Sequence, residues 1–150
     1  MEHYYEVSLD WNKDRVGTLI SSELEDKIEV ATPPQFPRGV EHVWSPEHLF
    51  TAAVNSCLMT TFLSIAENSK LEFTHFHSKS LGKLEMIDGK YMMSEVILMP
   101  TLTINTDKDI EKAQRILQKA ETACLISNSI KSKITFKPVI KIESTAGNIN

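Results

Sequence analysis

Cys57 sits in the middle of "SPEHLFTAAVNSCLMTTFLSIAEN", residues 45–68, ten residues after Glu47. The other cysteine, Cys124, lies in "ETACLISNS", 67 residues further on. A thiolate is a strong nucleophile, and a second thiol within reach can close a disulfide that an external thiol reopens. Such a thiolate needs a stabilising partner, because apolar surroundings raise a thiol's pKa. Arginine suits that role, since its guanidinium stays charged, reaches far and can be aimed by a carboxylate. Glu47 is about 15 Å from Cys57 along a helix axis at about 1.5 Å per residue, so a link between them must pass through a third group. The chain has three arginines, Arg15, Arg38 and Arg115. Arg115 falls among Lys112, Gln114 and Gln118 in a solvated helix pattern, which leaves Arg15 and Arg38. Each residue taken singly has a plainer role. A cysteine among apolar neighbours fills space, and a glutamate in a first helical turn complements the helix dipole.

The five histidines give no ligand set. His75 and His77 are two apart on an expected strand and so share a face, but zinc takes three or four ligands and nothing at suitable spacing completes the group. His42 and His48 flank the candidate site and are read at most as its rim. No metal site is expected.

The elements that must position these residues follow from hydrophobic period and capping. The chain has 150 residues, enough for one domain, with 41% apolar and 24% charged residues, as in an ordinary globular protein. Its net charge of −4, from 16 basic and 20 acidic residues, argues against nucleic-acid or membrane-surface partners. The start, "MEHYY", lacks the basic and apolar stretches of a signal peptide. No apolar run is read as approaching the roughly 20 residues of a membrane span, so the expected location is the cytoplasm. In that reducing compartment the cysteines are either inert core thiols or a redox couple.

Residues 1–31 read as three short strands, beginning with the alternating "YYEVSLDW", which puts Tyr5, Val7, Leu9 and Trp11 on one face. The proline-rich "TPPQFPRGVEHVW" is an ordered loop, because its apolar residues give it something to bury. Ser45 is a helix N-cap, Pro46 suits the first helical position, and the central helix fills the span 45–68. Apolar residues cover most of its circumference, which predicts burial on several sides. Residues 71–143 then carry two strands joined at Asp88-Gly89, a helix through "KDIEKAQRILQKAETACLIS" capped by Thr106 or Asp107, and a final strand "ITFKPVIKIES". The tail at 144–150 is expected to fray. This order predicts a single α+β domain with antiparallel sheets around a long buried helix.

On these residues the chain resembles the OsmC/Ohr family of thiol peroxidases, the osmotically induced and organic hydroperoxide resistance proteins. "SPEHLFTAAVNSC" is similar to the family's proline-glutamate pair, its two alanines and the cysteine ten residues after the glutamate. "ACLISNS" is similar to the family's second cysteine with its polar turn and last strand.

The resemblance implies an OsmC-like fold and an intertwined homodimer with active sites at the interface. It implies a cytoplasmic antioxidant enzyme of the stress response that reduces organic hydroperoxides without a metal, flavin or haem cofactor. Cys57 would be the attacking thiolate, oxidised to a sulfenic acid. Cys124 would close the Cys57–Cys124 disulfide, and an external dithiol of lipoyl or other type would reopen it. Glu47 would hold the catalytic arginine. Arg15 stands 42 residues before Cys57, the separation seen in one branch of the family. Arg38 belongs to the loop that directly precedes Glu47, which favours it, although in a further branch its position is a glycine. Phe36, Trp44, Phe50 and Met59 would wall the site and favour an organic peroxide over hydrogen peroxide. The alternatives are a non-catalytic dimer of the same fold that binds a small apolar ligand, and a pair of core thiols kept for packing.

Overall fold

The computed structural model describes residues 1–143; the tail at 144–150 lies outside the described residues. The chain forms two compact units, Met1–Leu49 and the residues from Phe50 onward.

The first unit is a three-stranded antiparallel meander of β1 (Ser8–Lys13), β2 (Val16–Ile20) and β3 (Ile28–Ala31), in that order across the sheet. The first strand begins at Ser8, four residues later than the alternation starting at Tyr4 predicts. A two-residue turn at Asp14-Arg15 joins β1 to β2, with Asp14 in the left-handed region at φ 49°. A short polar side chain tolerates that conformation well. The loop after β3 is ordered, as its apolar residues predict. The Ala31 amide donates to the Trp44 carbonyl (2.8 Å) and the Val40 amide to the Thr32 carbonyl (2.9 Å). Gly39 is needed there, since a Cβ would come within 2.0 Å of the Pro33 carbonyl oxygen.

Helix α1 (Pro46–Asn68) starts where the cap signal puts it. The buried Ser45 hydroxyl accepts from the His48 amide at 3.1 Å, and the Ser45 carbonyl accepts from the Leu49 amide at 2.9 Å.

The second unit contains the body of α1, the hairpin β4 (His75–Ile87) and β5 (Lys90–Ile104), helix α2 (Ile110–Ala123), and strands β6 (Lys133–Phe136) and β7 (Val139–Ile142). Asp88 and Gly89 both have positive φ, 49° and 78°, and form the two-residue turn the sequence predicts. Thr106 caps a short 3-10 turn at Asp107–Asp109 that leads into α2.

Three expectations need correction. The sheet of this unit is mixed rather than antiparallel: β4 runs antiparallel to β5, but β6 and β7 both run parallel to it. The final strand is two strands, because Pro138 lacks the amide that a continuous ladder needs. Pro100 occupies the matching break in β5, where pairing stops at Leu98↔Phe136 and resumes at Thr101↔Val139. Lastly, α1 is long and apolar enough by length and composition to cross a membrane, contrary to the run-length reading. Its interrupting serines, threonines and Asn55 hide that length from a search for unbroken apolar runs.

The core of the second unit explains how α1 is held. Val54, Leu58, Phe62 and Ala66 recur every four residues and pack with Val96, Leu98, Leu102 and Ile104 of β5 and Ala113, Ile116, Leu117 and Ala120 of α2. Phe62 stacks on Phe76 with ring centres 4.9 Å apart and meets Phe73 edge-on at 5.2 Å. Thr51 approaches β4 so closely that a Cβ on Gly82 would lie 2.0 Å from its hydroxyl. Within the single chain this is the one fully buried row of α1. Met59 and Leu63 remain 40% exposed, so the expected burial on several sides is not reached by the chain alone.

Candidate active site

Cys57 lies on α1 one turn before Thr61, whose hydroxyl is 3.9 Å from its sulfur. Cys124 is not on α2, as the sequence pattern suggests, but just past its end. It is the C-cap residue in extended conformation (φ −62°, ψ 113°), with its amide still bonded to the Glu121 carbonyl at 3.3 Å. The chain then turns tightly. The Asn128 amide donates to the Cys124 carbonyl (3.1 Å), and the Ser129 amide to the Ile126 carbonyl (3.0 Å).

This turn brings the two thiols together. Cys57 is partly exposed, Cys124 is fully buried, and both are free thiols. Burial works against the Cys57 thiolate, but it is outweighed by the Ile126 amide, the Cys124 thiol, the Thr61 hydroxyl and the Leu125 amide, each of which favours the charged sulfur. Cys57 therefore titrates below the ordinary thiol range. Cys124 moves the other way. Burial pushes it up, the Ser127 hydroxyl and amide oppose this, and the adjoining Cys57 sulfur adds to the rise. The two thiols are thus unequal: one partly exposed with its pKa lowered, the other enclosed with its pKa raised.

The remaining site residues belong to the first unit. Glu47 is in the first turn of α1 with its Oε1 buried. Arg15 is exposed at the tip of the β1–β2 turn and lines an open concavity with Trp11, Asp14, Thr32 and Pro46, the residue before Glu47. Arg38 is exposed on the loop at φ 63°, in the left-handed region, and is not among the residues that wall this concavity. His42 and His48 line a different concavity with Val43 and Trp44. His75 and His77 are exposed on one face of β4, and no cluster of three potential metal ligands occurs among the described residues.

The OsmC-like protein family model matches residues 39–139, which spans α1, both cysteines and strands β4 to β6 of the mixed sheet. The chain belongs to the OsmC-like family. Its fold is that of OsmC-like proteins from several bacteria. An OsmC-like protein of unknown function from Vibrio cholerae superposes with a TM-score of 0.81 at 22% identity, covering 92% of this chain and all of the other. An organic hydroperoxide resistance protein from Elizabethkingia anophelis superposes with a TM-score of 0.74 at 22% identity, covering 95% of this chain and 100% of that one. In sequence, the chain is 25% identical over 138 residues to the uncharacterized protein YmaD of Bacillus subtilis, covering 89% of this chain and 90% of that protein.

Within this OsmC-like chain, the reading of residue types missed the donors around Cys57. Leu125 and Ile126 act through backbone amides, which any residue except proline supplies, so no side-chain signal marks them. Thr61 carried a weak signal, as the hydroxyl residue one turn after the cysteine.

Proposed function

We propose that this OsmC-like protein is a thiol-dependent peroxidase that reduces organic hydroperoxides. The observation that carries this reading is the inequality of the two adjoining thiols. Cys57 is partly exposed with its pKa lowered, while Cys124 is buried with its pKa raised, and the Cys124 thiol is among the groups that lower that of Cys57.

In the proposed cycle the Cys57 thiolate attacks one oxygen of the peroxide ROOH. The S–O bond forms, the O–O bond breaks, and Cys57 becomes a sulfenic acid. The leaving alkoxide takes up a proton and departs as ROH. Cys124, after losing its proton, attacks the sulfenic sulfur. Hydroxide leaves, is protonated to water, and the Cys57–Cys124 disulfide remains. An external dithiol reduces that disulfide and is itself oxidised, so one peroxide and one dithiol give one alcohol, one water and one disulfide. The chain supplies the two reacting thiols and the external dithiol the reducing equivalents, and this cycle calls on no cofactor.

Arginine would stabilise the thiolate and the developing charge on the leaving oxygen, aimed by Glu47. Of the two candidates, Arg15 is favoured because it shares a wall with Pro46 at the start of α1. A homodimer completes the reading. Met59 and Leu63 on α1 and Leu9 and Trp11 on β1 are large exposed apolar residues of the kind a partner chain covers. An apolar surround for the peroxide would then favour an organic substrate. A cytoplasmic location suits a couple that depends on cellular thiols.

The test is a free-thiol titration after one equivalent of cumene hydroperoxide. Rapid loss of both thiols per chain supports the reading, and unchanged thiols overturn it in favour of a binding protein.

A further inference from the structure

The segment after Cys124 does more than return the chain to β6. A trans peptide unit points its carbonyl and its N–H in opposite directions, so fixing the oxygen aims the hydrogen. The carbonyl of Leu125 shares a peptide unit with the Ile126 amide, and the Ser129 hydroxyl donates to that carbonyl at 2.7 Å. The carbonyl of Cys124 shares a unit with the Leu125 amide, and the Asn128 amide donates to it at 3.1 Å. Both units are thus clamped at their oxygen ends, and the N–H groups at their other ends are among those that favour the Cys57 thiolate. Successive amides arranged this way form an anion-binding concavity, and donation to the carbonyl also polarises the N–H of the same unit. The Asn128 side chain ties the turn to the end of α2 by donating to the Thr122 carbonyl at 3.1 Å.

We propose that Ser129 is a positioning residue for Cys57: its hydroxyl locks the Leu125–Ile126 peptide unit so that the Ile126 amide holds the thiolate. The inference rests on the reading of Cys57 as the attacking thiol. Ser129 touches neither substrate nor sulfur and acts only through the peptide it clamps. The turn then has two roles, carrying the resolving thiol and supplying the anion site for the attacking one. The groups that face Cys57 are Cys124, the Leu125 and Ile126 amides and Thr61. Ser129 is exposed, so its replacement leaves the core untouched.

The experiment is the pH profile of iodoacetamide alkylation at Cys57, read by mass spectrometry on the reduced protein. Ser129→Ala should move the profile to higher pH and slow alkylation at neutral pH by roughly three- to tenfold, the size expected for weakening one hydrogen bond to a charged group. Ser129→Thr, which keeps the hydroxyl, should restore it. A Ser129→Ala profile that superimposes on that of the unaltered protein overturns the proposal. A second measurement needs no turn variant. In the unaltered protein the Ile126 amide proton resonance should follow Cys57 ionisation through a pH titration, and should lose that step in Cys57→Ser. An Ile126 resonance indifferent to Cys57 also overturns the proposal. Both readouts are independent of peroxide. If they behave as expected while cumene hydroperoxide leaves both thiols intact, the clamp stands and the peroxidase reading falls.

Discussion

Helix α2 buries Ala113, Ile116, Leu117 and Ala120 and turns Gln114, Arg115, Gln118 and Lys119 to solvent. Helix α1 also buries one row, Val54, Leu58, Phe62 and Ala66, yet it leaves Met59 and Leu63 40% exposed beside it. The apolar stripe of α2 is used up by its own unit, whereas α1 is apolar on more sides than one chain covers. Their cysteines differ in the same sense. Cys124, at the end of the satisfied helix, is sealed in, and Cys57, on the unsatisfied one, stays partly open. Unspent apolar surface and an accessible thiol on one helix are what a site completed by a second copy of the chain requires.

The largest effect that can break this comparison is chemical. Cys57→Ser should abolish peroxide consumption, while Cys124→Ser should consume one equivalent per chain and then stall, because attack needs only the first thiol and recycling needs both. A stopped assay counting peroxide lost per chain separates the two. Failure of Cys124→Ser to consume the first equivalent would reverse the roles.

Next comes the surface of α1. Glutamate at Met59 and Leu63 together should convert a homodimer into 17.0 kDa particles in light scattering at micromolar concentration. Burying two unpaired carboxylates in an apolar interface costs several kcal/mol. Lys119→Glu on α2 should leave the particle size unchanged. A 17.0 kDa particle before any substitution would sink the dimer.

A smaller effect sharpens what the first unit adds to α1. Arg15→Ala should slow peroxide reduction about tenfold or more and raise the pH at which Cys57 alkylates, since about 1.4 kcal/mol of thiolate stabilisation is one pKa unit. Arg38→Ala should do neither. Glu47→Gln should slow the rate less than Arg15→Ala, because the cation remains and only its aim is lost. If none of the three moves the alkylation profile, no arginine tunes Cys57, and the Ile126 and Leu125 amides with Cys124 and Thr61 are left to do so.

The smallest effect needs no substitution. Cys57 is held below the ordinary thiol range and Cys124 above it, so alkylation at Cys57 should set in at lower pH and that at Cys124 only at higher pH. The sign follows from the thiolate being the reactive form: a lowered pKa extends reactivity downward in pH and a raised one withholds it. Residue-resolved alkylation from mildly acidic to mildly alkaline pH checks the order, and coincident profiles would contradict it.

The sequence by itself determined what depends on near neighbours. Ser45 and Pro46 start α1, Asp88-Gly89 make the hairpin, and Thr106 caps the turn into α2, each through bonds spanning a few residues. The stripe of α2 follows from a period of 3.6, and the spacing of Glu47 and Cys57 carried the family. Tertiary structure alone decided what depends on the chain's return. Nothing local to "ITFKPVIKIES" tells that its two halves run parallel to β5, because the register Glu95↔Lys133 joins residues far apart in sequence. The meeting of Cys57 with Cys124 across 67 residues is of the same kind. So is the anion site on Cys57. It is made of backbone amides that every non-proline residue possesses, and only the path of the turn, fixed by Asn128 and Ser129, gives those at 125 and 126 a sulfur to face.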